Sequence, residues 1–166
     1  MADGNKSKDR QPIRPRAPLH VRPPLTPTDQ QQLWDACLAW YPHERLVLTL
    51  LLEMGLRPRE VCALTYHDLQ PGALTVLGKD GRVRTIPIGD ETQLALDRYL
   101  AATLPSLRRR QDADAALVAL DEADLAEMVR ALGRRAGLNR PLSVHDLRHA
   151  AILRARAAYR KGDDKS

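Results

Sequence analysis

The chain has 166 residues, of which 43% are hydrophobic, and its formal net charge is +5. This length and composition suit one domain with a buried core. No signal peptide is recognisable, and the longest strongly apolar run, Leu46 to Leu52, is much shorter than the roughly 18 residues of a membrane span, so we expect a cytoplasmic protein and exclude one that crosses a membrane.

The first 25 residues differ from the rest of the chain in charge and composition. They contain six basic and two acidic residues and five prolines, whereas the remaining 141 residues carry 20 basic and 19 acidic side chains. A basic, proline-rich segment with few apolar side chains favours a disordered arm over residues 1–25. Two interpretations stay open, a solvated linker or an arm that contacts DNA phosphates through Arg14, Arg16 and Arg22.

Three helices are predicted next. Thr26 and Pro27 are typical of a helix start, and this first helix is expected to run to about Trp40. The second covers roughly Glu44 to Met54 and ends at Gly55. The third opens at Pro58 and keeps one buried face up to about Leu69.

The second half is predicted to add a small sheet and more helices. Alternating residues and an Asp-Gly turn predict a β-hairpin, and Ala116 to Leu120 is either a third strand or an apolar loop. The expected fold class is therefore α+β, mostly α, with a β-hairpin or a three-stranded antiparallel sheet. The predicted elements are strands Leu74–Leu77 and Val83–Ile88, helices Glu91–Leu104 and Asp121–Ala136, and a last helix that starts near His145 after the capping candidate Ser143.

The first candidate site is the run Gly55-Leu56-Arg57-Pro58-Arg59-Glu60. It places Arg57 at a helix start, where free backbone N–H groups and the helix dipole favour an anion such as phosphate. The alternative is a surface ion pair between Arg57 and Glu60, one turn later.

The second candidate site is the hairpin Gly78-Lys79-Asp80-Gly81-Arg82. A lysine at a hairpin turn is mobile and charged, so Lys79 can reach a phosphodiester and donate a proton to a departing oxygen. The alternative is a solvated turn lysine. Arg82 and Arg84 of the same hairpin are candidate DNA contacts.

The third candidate site is the run His145-Asp146-Leu147-Arg148-His149. His145, Arg148 and His149 stand at helical spacing on one face, so an imidazole and a guanidinium can bind one phosphate together. The alternative is a capped surface helix. No array of Cys, Asp or Glu completes a coordination shell, so neither a metal nor a cofactor is expected.

Together the three motifs, over most of residues 26–155, resemble the catalytic domain of the tyrosine recombinases, the phage integrase family. The resemblance implies metal-free phosphoryl transfer on double-stranded DNA. In it Arg57 and Arg148 neutralise the transition state, Lys79 and His145 handle protons, and His149 matches a common trailing histidine. It also implies that Glu60 and Asp68 orient the first motif. Further copies of the chain or a full-length recombinase are the other expected partners.

The family's nucleophilic tyrosine lies beyond the second arginine motif, and the chain ends at Ser166. We therefore expect an incomplete catalytic domain over residues 26–160 and a polar tail over 161–166. Tyr159 is the one tyrosine after Arg148 and is therefore the candidate replacement nucleophile. If the last helix is continuous, eleven residues place it roughly 16 Å further along the axis, too far for direct attack on a phosphate held by Arg148.

Three functions remain open on the sequence. The first is an accessory or regulatory DNA binder of bacterial or phage origin, associated with the nucleoid or a mobile element. The second is a fragment of an active tyrosine recombinase, which either is cut short of its tyrosine or takes it from a partner chain. The third is a helical protein-interaction module.

Overall fold

The computed structural model describes residues 22–37, 41–107 and 114–163, and shows a mostly helical fold with one small sheet. Its elements are α1 (Pro27–Ala36), α2 (Pro42–Leu48) with a π-helical continuation (Thr49–Glu53), α3 (Pro58–Ala63), β1 (Leu69–Gln70), β2 (Ala73–Leu77), β3 (Val83–Pro87), α4 (Asp90–Leu107), α5 (Glu122–Arg135) and α6 (Val144–Asp163).

Contacts with the core extend slightly before the predicted boundary at Thr26. Thr26 caps α1 as expected, since its hydroxyl accepts a hydrogen bond from the Asp29 N–H at 3.1 Å. However, Leu25 is buried in the core, and the carbonyl of Pro23 accepts a hydrogen bond from Arg140. Of the predicted arm, Leu25 is thus part of the core, and the exposed Arg22 and Pro23 contact Asp146 and Arg140, while residues 1–21 lie outside the described ones.

The first two helices differ from the prediction at their ends. Helix α1 ends at Ala36, because Cys37 turns out of the helix with a ψ of 117°, and residues 38–40 are outside the described part. Helix α2 starts two residues earlier than expected, at Pro42. Its last turn widens to a π-helix, in which the Met54 N–H bonds to the Thr49 carbonyl five residues back.

The third helix is shorter than predicted. It ends at Ala63, because Leu64 takes an extended conformation and its carbonyl accepts a hydrogen bond of 2.7 Å from the distant Leu117 N–H. Thr65 and Asp68 then cap a short 3₁₀ turn, so the chain enters β1 at Leu69 instead of continuing the helix.

The sheet is three-stranded and antiparallel in the order β1-β2-β3. Leu74 and Val76 of β2 face the core and pair with Ile86 and Arg84 of β3, which confirms the predicted hairpin. The third strand is β1 and not Ala116–Leu120, where Ala116 forms only an isolated bridge with Thr65.

The remaining helices close the core. Helix α4 runs three residues past its predicted end, and α5 matches its prediction, with Asp121 capping its start. Helix α6 starts at Val144 and continues through Asp163, so residues 161–163 of the predicted tail are helical, and 164–166 are not described. Within the described ranges, no helix is long and apolar enough to cross a membrane.

Candidate functional site

A cavity of about 650 Å³ lies where the start of α3, the β2–β3 hairpin and the start of α6 meet. Its lining includes all four residues that the sequence motifs single out for phosphate chemistry, namely Arg57, Lys79, His145 and Arg148. Arg57 and Arg148 reach the same cavity although they are 91 positions apart in the chain. The fold therefore brings the three motifs to one place, as the sequence predicts.

Arg57 is the residue that precedes the first turn of α3. Its backbone N–H donates to Glu60 Oε2 at 2.8 Å, and Pro58 fills the first helical position, so the cap is built from the motif itself. The predicted alternative, an exposed ion pair of the Arg57 and Glu60 side chains, is wrong. Glu60 is buried, and its carboxylate is paired with Arg84 instead.

Arg148 lies in α6 rather than at its first residue, as the fifth position of that helix. Its Nε donates a hydrogen bond of 3.0 Å to the carbonyl of Gly55. This bond fixes the direction of the side chain, and the remaining guanidinium N–H groups bond to no protein group in the described part of the chain. The guanidinium is thus oriented by the backbone of the first motif.

The start of α6 is held by a local network around Asp146. The Asp146 carboxylate accepts hydrogen bonds from the Ser143 N–H at 2.9 Å, from the Ser143 hydroxyl at 2.6 Å and from Arg140 at 3.0 Å. Burial raises the pKa of Asp146, but these hydrogen bonds outweigh it and hold the pKa below its usual range. Arg22 lies 3.7 Å from the same carboxylate, so a predicted DNA contact of the arm sits beside the third motif.

The two histidines of this helix differ in their relation to the cavity. His145 lines it, whereas His149 is not among the residues that line it. A role of His149 in DNA contact stays a prediction.

Lys79 is exposed at the hairpin turn, where the Gly78 N–H donates to the Arg82 carbonyl at 2.8 Å. A second cavity of about 720 Å³ shares Arg57 and Lys79 and adds Arg82 and Arg84. Arg82 has a side chain 89% exposed, and its nearest carboxylate is Asp80 at 3.5 Å. Lys79 therefore stands between two adjoining concave surfaces.

The charges in the first cavity do not balance. Of its two carboxylates, Glu122 is paired with Arg59 at 3.0 Å and Glu60 with Arg84 at 2.9 Å. Among the described residues, no carboxylate lies within ion-pair distance of Arg57, Lys79 or Arg148. Three uncompensated cations around one cavity favour an anion with several acceptor oxygens.

The Glu60–Arg84 pair is the part of the site that sequence reasoning missed. Arg84 donates from Nη1 to Oε1 and from Nη2 to Oε2, both at 2.9 Å. Because both ends of its fork bond to the carboxylate, the predicted contact of Arg84 with DNA gains no support and stays a prediction. A glutamate one turn after Arg57, on the helix face that packs inward, was the signal that a basic partner existed, but the sequence did not indicate which residue it was.

Tyr159 lies apart from this cavity. Its side chain is 74% exposed and lines a different concavity on α6 together with Ile152 and Arg156. Arg14 and Arg16 lie outside the described residues. Within the described ranges, no group of three or more His, Cys, Asp or Glu side chains is placed to hold a metal ion.

Comparison with known proteins supports, over most of the chain, the family that the sequence motifs resemble. The phage integrase family model matches residues 24–162. The tyrosine recombinase XerD of Neisseria meningitidis serogroup B is 30% identical over 119 residues, which cover 66% of this chain and 40% of that protein. XerD of Mycobacterium tuberculosis is 34% identical over 114 residues, covering 64% of this chain and 37% of that protein. The chain thus spans about 40% of the length of such relatives.

Solved structures share the fold. The XerA recombinase superposes with a TM-score of 0.67 and 24% identity, covering 84% of this chain and 50% of that one. Lambda integrase bound to DNA gives a TM-score of 0.58 and 18% identity, covering 77% of this chain and 49% of that one. A lambda integrase dimer bound to a core site covers 77% of this chain and 39% of that one, with a TM-score of 0.58 and 19% identity. These likenesses confirm the predicted fold class.

Proposed function

The chain belongs to the phage integrase family, and on that premise we propose that its cavity binds a backbone phosphate of double-stranded DNA. The observation that carries the proposal is the set of uncompensated cations, Arg57, Lys79 and Arg148, around one cavity. A phosphodiester offers two non-bridging oxygens, which suit two guanidinium groups that approach from different elements.

The proposed roles follow from the chemistry of each side chain. Arg57 and Arg148 bind the non-bridging oxygens and stabilise the charge that develops at phosphorus. Lys79, on the exposed hairpin turn, donates a proton to a departing sugar oxygen. His145, on the same side of α6 as Arg148, accepts or supplies a proton at the phosphate.

We further propose that the 166-residue polypeptide by itself binds DNA without cutting it, as an accessory or regulatory member of a recombination system. Its Tyr159 lines a different concavity from Arg148. Strand cleavage requires a tyrosine at the phosphate, which another protomer or a longer form of the polypeptide would supply. The second candidate function is a segment of an active recombinase that joins DNA, which the match to about 40% of XerD favours.

Self-association on DNA belongs to the same proposal. One structure with this fold is a lambda integrase dimer bound to a core site. We expect two copies to occupy a duplex with two inverted sites, and sedimentation of such a complex measures their number.

The test is a titration of duplex DNA against the whole chain and against Arg57→Ala, Arg148→Ala and the double variant, at several salt concentrations. Each single change should weaken binding by about 1–3 kcal/mol, because each removes a charge-assisted hydrogen bond to phosphate. Arg156→Ala is the matched control, since Arg156 is an exposed arginine of the same helix outside the cavity. Equal affinities of the wild type and the double variant would refute the proposed site.

A further inference from the structure

The ion pair between Arg84 and Glu60 joins the two elements that carry Arg57 and Lys79. Glu60 is in α3, three residues after Arg57, and its side chain is 3% exposed. Arg84 is in β3, five residues after Lys79, and its side chain is 46% exposed. Each of the two Nη atoms contacts one carboxylate oxygen at 2.9 Å, a planar geometry that fixes relative orientation as well as distance.

The carboxylate of Glu60 also holds the start of α3. Its Oε2 accepts the Arg57 N–H at 2.8 Å in addition to Arg84 Nη2. One buried oxygen therefore connects the backbone at Arg57 with the hairpin strand. Burial raises the pKa of Glu60, but the hydrogen bonds from Arg84 and from the Arg57 backbone outweigh it and lower the pKa, so the carboxylate stays ionised at neutral pH.

Between Arg84 and Lys79 the hairpin is closed by regular pairing. Val76 pairs with Arg84 and Leu77 with Val83, and the Gly78 N–H then bonds to the Arg82 carbonyl. A side chain anchored at Arg84 therefore sets the position of the turn that presents Lys79.

We propose that Arg84 is a positioning residue, whose pairing with Glu60 holds the Lys79 turn beside Arg57 so that both cations meet the same phosphate. The inference rests on the proposed phosphate site and assigns Arg84 a task other than contact with DNA. Two of the five guanidinium N–H groups of Arg84 bond to the carboxylate of Glu60, and without them this carboxylate would be buried and unpaired, which is costly. Arg82 of the same turn is not paired with a buried carboxylate. Its side chain is 89% exposed, and its partner Asp80 is 63% exposed.

A double-variant cycle tests this coupling. Arg84→Lys keeps the positive charge but loses the fork, so a merely electrostatic contribution to DNA binding would survive it. In the wild-type background, Lys79→Ala should lower duplex affinity about tenfold, as expected for one charge-assisted bond. In the Arg84→Lys background the same change should have less than about a twofold effect, because coupled residues are not additive.

Arg82→Lys is the matched control, since it makes the same chemical change two residues earlier in the same hairpin. It should leave the effect of Lys79→Ala at its full size. Equal effects of Lys79→Ala in the wild-type and Arg84→Lys backgrounds would overturn the inference, as would wild-type affinity of Arg84→Lys itself.

Hydrogen exchange provides a readout that does not depend on DNA. In Arg84→Lys the amides of Gly78 and Gly81 should exchange faster, while the Leu117 amide, which bonds to the Leu64 carbonyl in the core, should keep its wild-type rate. Unchanged hairpin amides in Arg84→Lys would refute the positioning role. If Lys79→Ala leaves the affinity of the wild type unchanged, the proposed phosphate contact of Lys79 fails, and the exchange rates still decide whether Arg84 holds the hairpin.

Discussion

Arg148 Nε donates a hydrogen bond of 3.0 Å to the main-chain carbonyl of Gly55, two residues before Arg57. The two arginine motifs are therefore in direct contact through a backbone group. Gly55 has a φ of 67°, a left-handed conformation that ends the π-helical turn and turns the chain toward α3. A Cβ atom at Gly55 would lie 3.2 Å from the Cβ atom of Ala151, three residues after Arg148 in α6.

Gly55→Ala should therefore reduce both stability and DNA affinity. The left-handed conformation costs an alanine about 1–2 kcal/mol, and the new methyl group pushes α6 away from the carbonyl that orients Arg148. Gly72→Ala is the control, because Gly72 has a φ of 70° and open space where its Cβ would be. Urea unfolding should show a loss in both variants, and a duplex titration should show weaker binding only for Gly55→Ala. Wild-type DNA affinity of Gly55→Ala would contradict this account of Arg148.

Local sequence signals are sufficient to predict where several helices and strands begin. Thr26-Pro27, Pro58 and the Asp80-Gly81 turn act over a few positions, so α1, α3 and β3 start at their predicted residues. The end of α3 was not predictable in this way, because it is set by a hydrogen bond between Leu64 and Leu117, which are distant in sequence.

The same distinction applies to the candidate site. Arg57, Lys79, His145 and Arg148 belong to motifs of a known family, and the resemblance was enough to predict that they meet. The pairing of Arg84 with Glu60 spans 24 positions and depends on the register of β3 against β2. A single sequence contains no signal for that register relative to α3, so it does not indicate that Arg84 pairs with Glu60.

The basic arm should supply part of the DNA affinity, and the structure shows where to remove it. Because Leu25 is buried, a truncation should stop at residue 21, which removes five basic and two acidic residues. Each phosphate contact adds about 0.9 to the log–log slope of affinity against salt, so the truncated chain should show a slope flatter by roughly 2–4 units. An unchanged slope in duplex titrations would assign the arm to a linker.

Acid should weaken the domain through Glu60 and Asp146. Both have a lowered pKa in the folded state, so each stabilises the fold above its unfolded pKa, about 4.3 for Glu and 3.9 for Asp, and this contribution is lost as the pH falls through the folded pKa. Urea unfolding at pH 7 should show Glu60→Gln less stable than the wild type, and the difference should shrink below about pH 4.

Glu127→Gln provides the comparison for this pH series. Hydrogen bonds from Arg130 and Arg134 lower the pKa of Glu127 as well, but its side chain is 57% exposed, and exposed ion pairs contribute little to stability. Its unfolding free energy should stay close to that of the wild type throughout. A difference for Glu60→Gln that stays constant from pH 7 to pH 3 would show that packing, and not the charged pair, causes the loss.

The 166-residue polypeptide alone should form no covalent bond to DNA. Attack on phosphorus requires a nucleophile within about 3–3.5 Å, whereas Tyr159 follows Arg148 by eleven residues of a continuous helix, roughly 16 Å along its axis.

A denaturing gel measures whether a covalent protein–DNA adduct forms. A nicked duplex of randomised sequence is incubated with the wild type and with Tyr159→Phe, and an intact tyrosine recombinase on its own site is the positive control. No adduct should appear with either chain, because Tyr159 lines a different concavity from Arg57 and Arg148. An adduct that forms with the wild type and is absent with Tyr159→Phe would show that α6 unwinds or bends on DNA to deliver Tyr159, and would make this polypeptide a recombinase with a displaced nucleophile.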